Sequence, residues 1–240
     1  GISAAGWNIV SLPVLANDGV ADTLFPSAVT PAYRYDDGYF PDDTLENGSG
    51  YWVKFNAGVP LSYPGLSVLR DTIDAAGGWN LIGSISVPVA TSTITSIPAG
   101  SVSSQYYSYG AGYDAATTIE PGRGYWVKTS RDTKLVLSAF VQAVPSIAVA
   151  GGVPMEEAPG GVTPPTEAGS LTLTDAAGRR RTLLLSSGLR AGTSIGAFDL
   201  PPLPPEGEFD IRFGTGRSLQ VFSGHSETGS IEMHGVRYPL

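Results

Sequence analysis

Cysteine is absent from the 240 residues, which removes disulfides, thiolate metal ligands and thiol nucleophiles together. Histidine is almost absent. His225 and His234 stand nine positions apart with Glu227 and Glu232 between them, and no third ligand follows at a spacing customary for zinc. Charge is sparse as well: charged side chains are 15% of the chain, and 14 basic against 22 acidic residues leave a net −8. A nucleic-acid partner therefore lacks its electrostatic basis. No apolar run approaches the roughly 18 residues that span a bilayer; Leu183-Leu184-Leu185 is the densest cluster. The opening Gly1-Ile2-Ser3-Ala4-Ala5 lacks the basic-then-apolar layout of a signal peptide.

Glycine and proline, by contrast, are abundant: 31 and 19 residues, about a fifth of the chain, against an average near 12%. They are the two weakest residues inside a helix, so the excess argues for turns and strands. No G-X-Y period marks a collagen, and 42% apolar residues supply a packed core. The fold class expected is all-β.

Self-similarity is the strongest signal. Gly6-Trp7-Asn8-Ile9-Val10-Ser11 returns as Gly78-Trp79-Asn80-Leu81-Ile82-Gly83, 72 residues on. Gly48-Ser49-Gly50-Tyr51-Trp52-Val53-Lys54 returns as Gly122-Arg123-Gly124-Tyr125-Trp126-Val127-Lys128, 74 residues on. Tyr33, Tyr35 and Tyr39 map onto Tyr107, Tyr109 and Tyr113 with the same offset of 74. The chain thus reads as two tandem small β modules, residues 1–70 and 71–141. In each, alternation puts Trp52 and Lys54 on one strand face and Tyr51, Val53 and Phe55 on the other. Trp7, Trp52, Trp79 and Trp126 are expected in the repeat core, since a buried indole removes about 150–250 Å² from water. Only Asp22-Thr23-Leu24-Phe25 suggests a helical turn, curtailed by Pro26.

Residues 142–169, rich in Pro, Gly and Ala, have the composition of a linker. Beyond it, Ser170–Asp175 alternates up to the turn Ala176-Ala177-Gly178, and Arg179–Leu185 is its expected hairpin partner. The arginines there are expected to protect an exposed strand face. Phe209-Asp210-Ile211-Arg212-Phe213 alternates again. Residues 170–240 therefore read as a β-sandwich-like domain, with Pro201-Pro202-Leu203-Pro204-Pro205 as a semi-rigid polyproline II connector.

The paired Gly-Trp-Asn and Gly-Tyr-Trp-Val-Lys motifs resemble a tandem repeat of secreted surface proteins exported by bacterial type IX secretion. The segment Phe198-Asp199-Leu200-Pro201-Pro202-Leu203-Pro204-Pro205 through Phe213 resembles one that follows such repeats in large surface proteins. This resemblance implies export and a modular, non-catalytic part of a surface-associated protein, with an extracellular or cell-surface location. It brings no activity with it. The terminal sorting domain of that pattern is not in the chain, which stops at Tyr238-Pro239-Leu240; a processed product, a fragment, or a subunit completed by another chain would each fit.

Catalytic sets are weak. Gly192-Thr193-Ser194-Ile195-Gly196 matches the G-x-S-x-G elbow in letters, but that motif needs a strand-to-helix turn, and Pro201 arrives too soon for a helix. No cofactor is expected. Asp36, Asp37, Asp42 and Asp43 make oxygen-rich loops of the kind that take calcium, although turn formation accounts for aspartates in such places. Asn47-Gly48-Ser49 is a glycosylation sequon in a tight glycine turn. The functional expectation is a non-catalytic structural protein, a surface stalk module or filament subunit whose partners are copies of itself or neighbouring domains of a larger surface protein. The alternative is a carbohydrate-binding module using exposed Tyr33, Tyr35, Tyr39, Tyr107, Tyr109 and Tyr113.

Overall fold

Strand side chains alternate between two faces, and the two large sheets here find cover for both. The computed structural model describes residues 1–140, 169–189, 193–222 and 228–235, and the chain is an all-β protein of several sheets. Apart from Gly169, the stretch expected to be a linker lies outside the described residues, as does His225.

The first repeat contributes β1 (Gly6–Ser11), β2 (Val14–Leu15), the short helix α1 (Ala21–Leu24), β3 (Ala32–Tyr35), β4 (Tyr39–Asp42), β5 (Gly50–Phe55) and β6 (Leu66–Ser67). β1, β5, β3 and β4 form one antiparallel sheet in that order. Its inner face carries Val10, Tyr51, Val53 and Phe55, which bury against Leu24 and Phe25 at the end of α1 and against Leu12 and Leu45.

The second repeat begins at β7 (Arg70–Ala75) and continues through β8 (Gly78–Ile82), β9 (Val89–Ala90), β10 (Thr95–Ile97), β11 (Tyr106–Tyr109), β12 (Tyr113–Ala116), β13 (Thr118–Ile119), β14 (Tyr125–Thr129) and β15 (Thr133–Ser138). β8, β14, β11 and β12 pair in the order of the first sheet, strand for strand. What covers the inner face differs. Where the first sheet has a helical turn, the second has a three-stranded sheet, β10-β15-β7, whose Ile73, Leu135 and Leu137 meet Ile82, Tyr125 and Val127.

The remaining strands are β16 (Gly169–Thr174), β17 (Arg180–Ser186), β18 (Asp210–Phe213), β19 (Leu219–Val221) and β20 (Ile231–His234). β16 and β17 are joined by a turn in which Asp175 Oδ1 accepts from the N–H groups of Ala177 and Arg179 at 2.9 Å each, with Gly178 at φ +78°. β17 also pairs in parallel with β19, and β18 pairs with β20. Leu183 from one small sheet and Ile211, Phe213 and the adjacent Phe209 from the other share a core. The expectation of a solvent-facing arginine row does not describe this strand. Arg180 is exposed, but Arg179 binds Asp175 at 2.7 Å and lies 4.9 Å from the Phe209 ring centroid, and Arg181 reaches the Tyr113 carbonyl.

Candidate functional site

The outer face of each four-stranded sheet is aromatic, and the two faces are packed on each other. Register explains which side chains share it: Tyr33 is opposite Trp52 and Trp7 opposite Lys54, while Tyr107 is opposite Trp126 and Trp79 opposite Lys128. Ile9, Trp52, Leu81, Tyr107, Tyr109, Tyr113 and Trp126 are buried together there, flanked by half-buried Trp7, Tyr33, Tyr35, Tyr39 and Trp79. Trp52 and Trp126 are fully buried. Each removes about 4–6 kcal/mol worth of apolar area from water before entropy is counted.

Contacts across this layer are reciprocal. Trp52 meets Tyr109 of the other repeat at 4.8 Å and 71°, and Trp126 meets Tyr35 at 4.7 Å and 77°. Within repeats, Trp7–Trp52 and Trp79–Trp126 are both 6.4 Å apart, near-perpendicular. The edge-to-face geometry puts the positive rim of one ring against the negative face of the next. Among the described residues the indole N–H groups of Trp52 and Trp126 make no hydrogen bond of ordinary geometry.

A backbone seam repeats the symmetry. Ser11 N–H donates to the Gly122 carbonyl at 3.1 Å and Gly83 N–H to the Gly48 carbonyl at 2.8 Å. Glycine is required where the strands touch: a Cβ on Gly50 would lie 2.7 Å from the Ile82 carbonyl oxygen, and one on Gly124 2.5 Å from Ile9 Cγ2. Ser11 and Ser84, both buried, hydrogen-bond at 2.8 Å, and their hydroxyls also serve the Arg123 carbonyl and the Gly122 N–H. Such an arrangement, the same patch used on both sides, is how isologous interfaces are built.

The tyrosines singled out in the sequence converge on the chain's own proline-rich segment. Tyr39 donates its hydroxyl to the Leu203 carbonyl and Tyr113 to the Pro202 carbonyl, both at 2.7 Å. Tyr109 donates to Glu208 Oε2 at 3.1 Å and to the Phe209 carbonyl, and Tyr107 to the Asp199 carbonyl at 3.3 Å. Leu200 enters the aromatic cluster itself. Burial pushes the Tyr107 phenol up to about 12, with Arg181 opposing and Asp199 adding to the shift. It raises the Tyr39, Tyr109 and Tyr113 phenols as well. The six rings are edge-to-face and mostly covered, not a coplanar platform in solvent. Tyr33 and Tyr35 are the half-buried members without a hydroxyl bond to this segment.

Charge fixes the segment's two ends. Asp199 is held by Lys128 Nζ and Arg217 Nε, each at 2.7 Å. Burial alone pushes the Asp199 carboxyl up, but those two hydrogen bonds outweigh it and hold the group below the usual carboxylate value. Buried Arg212 binds Asp210 at 2.5 Å and donates to the Pro201 carbonyl at 2.9 Å. Desolvation lowers the Arg181 guanidinium from its ordinary value, with Asp210 and Asp114 opposing.

Other candidates have local duties. Ser194 Oγ accepts from the Gly196 N–H at 3.3 Å, capping a short 3₁₀ turn at Ile195–Phe198. His234 lies on β20, 3.9 Å from Glu232. Asp36 and Asp42 face Arg34 at 3.4 and 3.8 Å, and Asp42 and Asp18 accept from N–H groups two residues on. Among the described residues no group of three or more His, Asp or Glu side chains is placed to hold a metal. Asn47 donates both Nδ2 hydrogens, to the Leu12 and Val14 carbonyls at 2.8 and 2.9 Å, so the nitrogen a glycan would take is already bound.

Sequence reasoning gave Lys54, Lys128 and Asp199 no binding role. The Lys signal was present, because both lysines share a strand face with a repeat tryptophan; Asp199 stood in the Phe198–Phe213 segment already singled out, but its partners Lys128 and Arg217 lie 71 and 18 residues away and no local pattern points to them. No family model, curated protein or solved structure matches the chain.

Proposed function

We propose that the chain is a non-catalytic structural protein of the cell exterior, a stalk module or a subunit of a surface filament. One observation carries the reading: most of the aromatic side chains with binding potential, namely Trp52, Trp126, Tyr35, Tyr39, Tyr107, Tyr109 and Tyr113, are spent on joining two sheets to each other and to the Asp199–Phe209 segment. That is how a rigid building block uses aromatic area. Extended segments laid over a sheet, and outer strands such as β4, are also the elements through which β proteins join their neighbours. Electron microscopy of the protein as released by its native cells tests this directly. Ordered polymers or stalk-like surface material are expected; a population of isolated monomers free in the cytosol would overturn it.

A second reading, a carbohydrate-binding module, has one observation in its favour. A groove of about 760 Å³ runs between the repeats, lined by Tyr35, Trp79, Asn80, Asp36, Asp37 and Asp71. Aromatic rings beside carboxylates are what sugar ring faces and hydroxyls require; the Asn80 amide is already used by the Ala76 and Gly78 backbone.

A further inference from the structure

The two halves of the aromatic face carry the same side chains, yet among the described residues a carboxylate is seated on only one. In the second repeat Lys128 Nζ stands 5.9 Å from the Trp79 ring centroid and donates to Asp199 Oδ2, while Tyr107, 5.9 Å from Trp79 at 61°, donates to the Asp199 carbonyl. In the first repeat Lys54 Nζ stands 5.8 Å from the Trp7 ring centroid, and Tyr33 lies 5.8 Å from Trp7 at the same 61°. Even the backbone support is shared: Lys54 N–H donates to Thr30 Oγ1 at 3.1 Å, Lys128 N–H to Ser104 Oγ at 2.8 Å. The difference is the ligand. Among the described residues Lys54 has no carboxylate partner, and Tyr33 is half-buried where Tyr107 is 5% exposed.

We propose that Trp7, Tyr33 and Lys54 form a second seat for an aspartate carried on an extended polypeptide segment, supplied by a different protein chain. The occupied half shows the chemistry this trio selects. The ammonium takes the carboxylate, the phenol takes the backbone carbonyl of the same residue, and the aspartate is in extended conformation, φ −60° and ψ 134°. A charged hydrogen bond is the strong element of such a contact, and it is stronger beside a ring that excludes water. Copies of this chain are poor donors for the seat, because each holds its own Asp199 between Lys128 and Arg217. The inference goes beyond the structural reading above, since it concerns binding by a single molecule and needs no polymer.

The test titrates the full chain with a labelled synthetic peptide of the sequence of residues 197–206, followed by fluorescence anisotropy at low ionic strength. Saturable one-to-one binding is expected. Lys54→Met should weaken it about tenfold, the scale of one lost charged hydrogen bond. An Asp199→Asn peptide on the unaltered protein should weaken it equally, which guards against misfolding of the Lys54 variant. No saturable binding overturns the proposal, as does equal affinity for the aspartate and asparagine peptides. Sedimentation velocity of the chain alone supplies the last arm: a self-association that Lys54→Met abolishes would place a second copy on the seat and overturn the assignment to a different chain.

Discussion

At the scale of single residues, Asp199 does the most with the least. Its carboxylate ties the second repeat, through Lys128, and the β17–β19 region, through Arg217, to the same atom pair. Burial disfavours the charge and two cationic donors more than restore it, so the folded carboxyl titrates below its unfolded value of about 3.8. The linkage has a definite sign. A depressed carboxylate stabilises the docked state fully above the unfolded value and loses that contribution as pH falls through the folded one. Docking of residues 199–209 on the aromatic face is therefore expected to hold from neutral pH down to about pH 4 and to loosen below it. Hydrogen exchange of the Leu200 amide, which donates to the Gly216 carbonyl at 3.0 Å, measures it across that range. Asp199→Asn should be looser at neutral pH and flat where the native chain changes, and the difference between the two proteins isolates this group from the other carboxylates.

At the scale of elements, alternation made the strand faces legible and left their destinations unread. The placement of Trp52 and Lys54 opposite Tyr51, Val53 and Phe55 follows from the pleat, and the structure keeps it. What lies on each face is decided by contacts between residues far apart in sequence, such as Tyr113 with Pro202 and Tyr109 with Phe209, and no local pattern encodes those. The tyrosines read as exposed because their own strands offer them no cover. The proline run read as a connector because polyproline II has no internal hydrogen bonds to reveal what its carbonyls do. Those free carbonyls are the reason it docks: Tyr39 and Tyr113, equivalent positions of the two repeats, bond the adjacent carbonyls of Leu203 and Pro202. Replacing both tyrosines with phenylalanine keeps the rings and deletes the donors. The double variant is expected to weaken docking by about 0.5–1.5 kcal/mol per hydroxyl. Limited proteolysis should then cut faster at residues 201–208, with the cores behind β5 and β14 unchanged; equal cutting of native and variant protein would refute the role given to the hydroxyls.

At the scale of the whole molecule, reciprocity has an energetic consequence. Each repeat's buried tryptophan stacks on a tyrosine of the other, Trp52 on Tyr109 and Trp126 on Tyr35, and the seam between them leaves no room for a Cβ at Gly50 or Gly124. A four-stranded sheet that buries one face on its own core and the other on its twin cannot lose the twin without exposing several large rings at once. Units of this size are marginal by themselves. The two repeats are therefore expected to unfold in a single transition, although their inner cores are built differently, one on α1 and one on β10-β15-β7. Trp52→Ala provides the measurement. It should cost about 3–5 kcal/mol, the range for emptying a fully buried aromatic site. The loss should appear equally in hydrogen exchange of β5, where the substitution sits, and of β14 and β15, which it does not touch. If β14 and β15 keep native protection while β5 opens, the sheets are independent units, and the aromatic layer between them is a surface contact instead of a shared core.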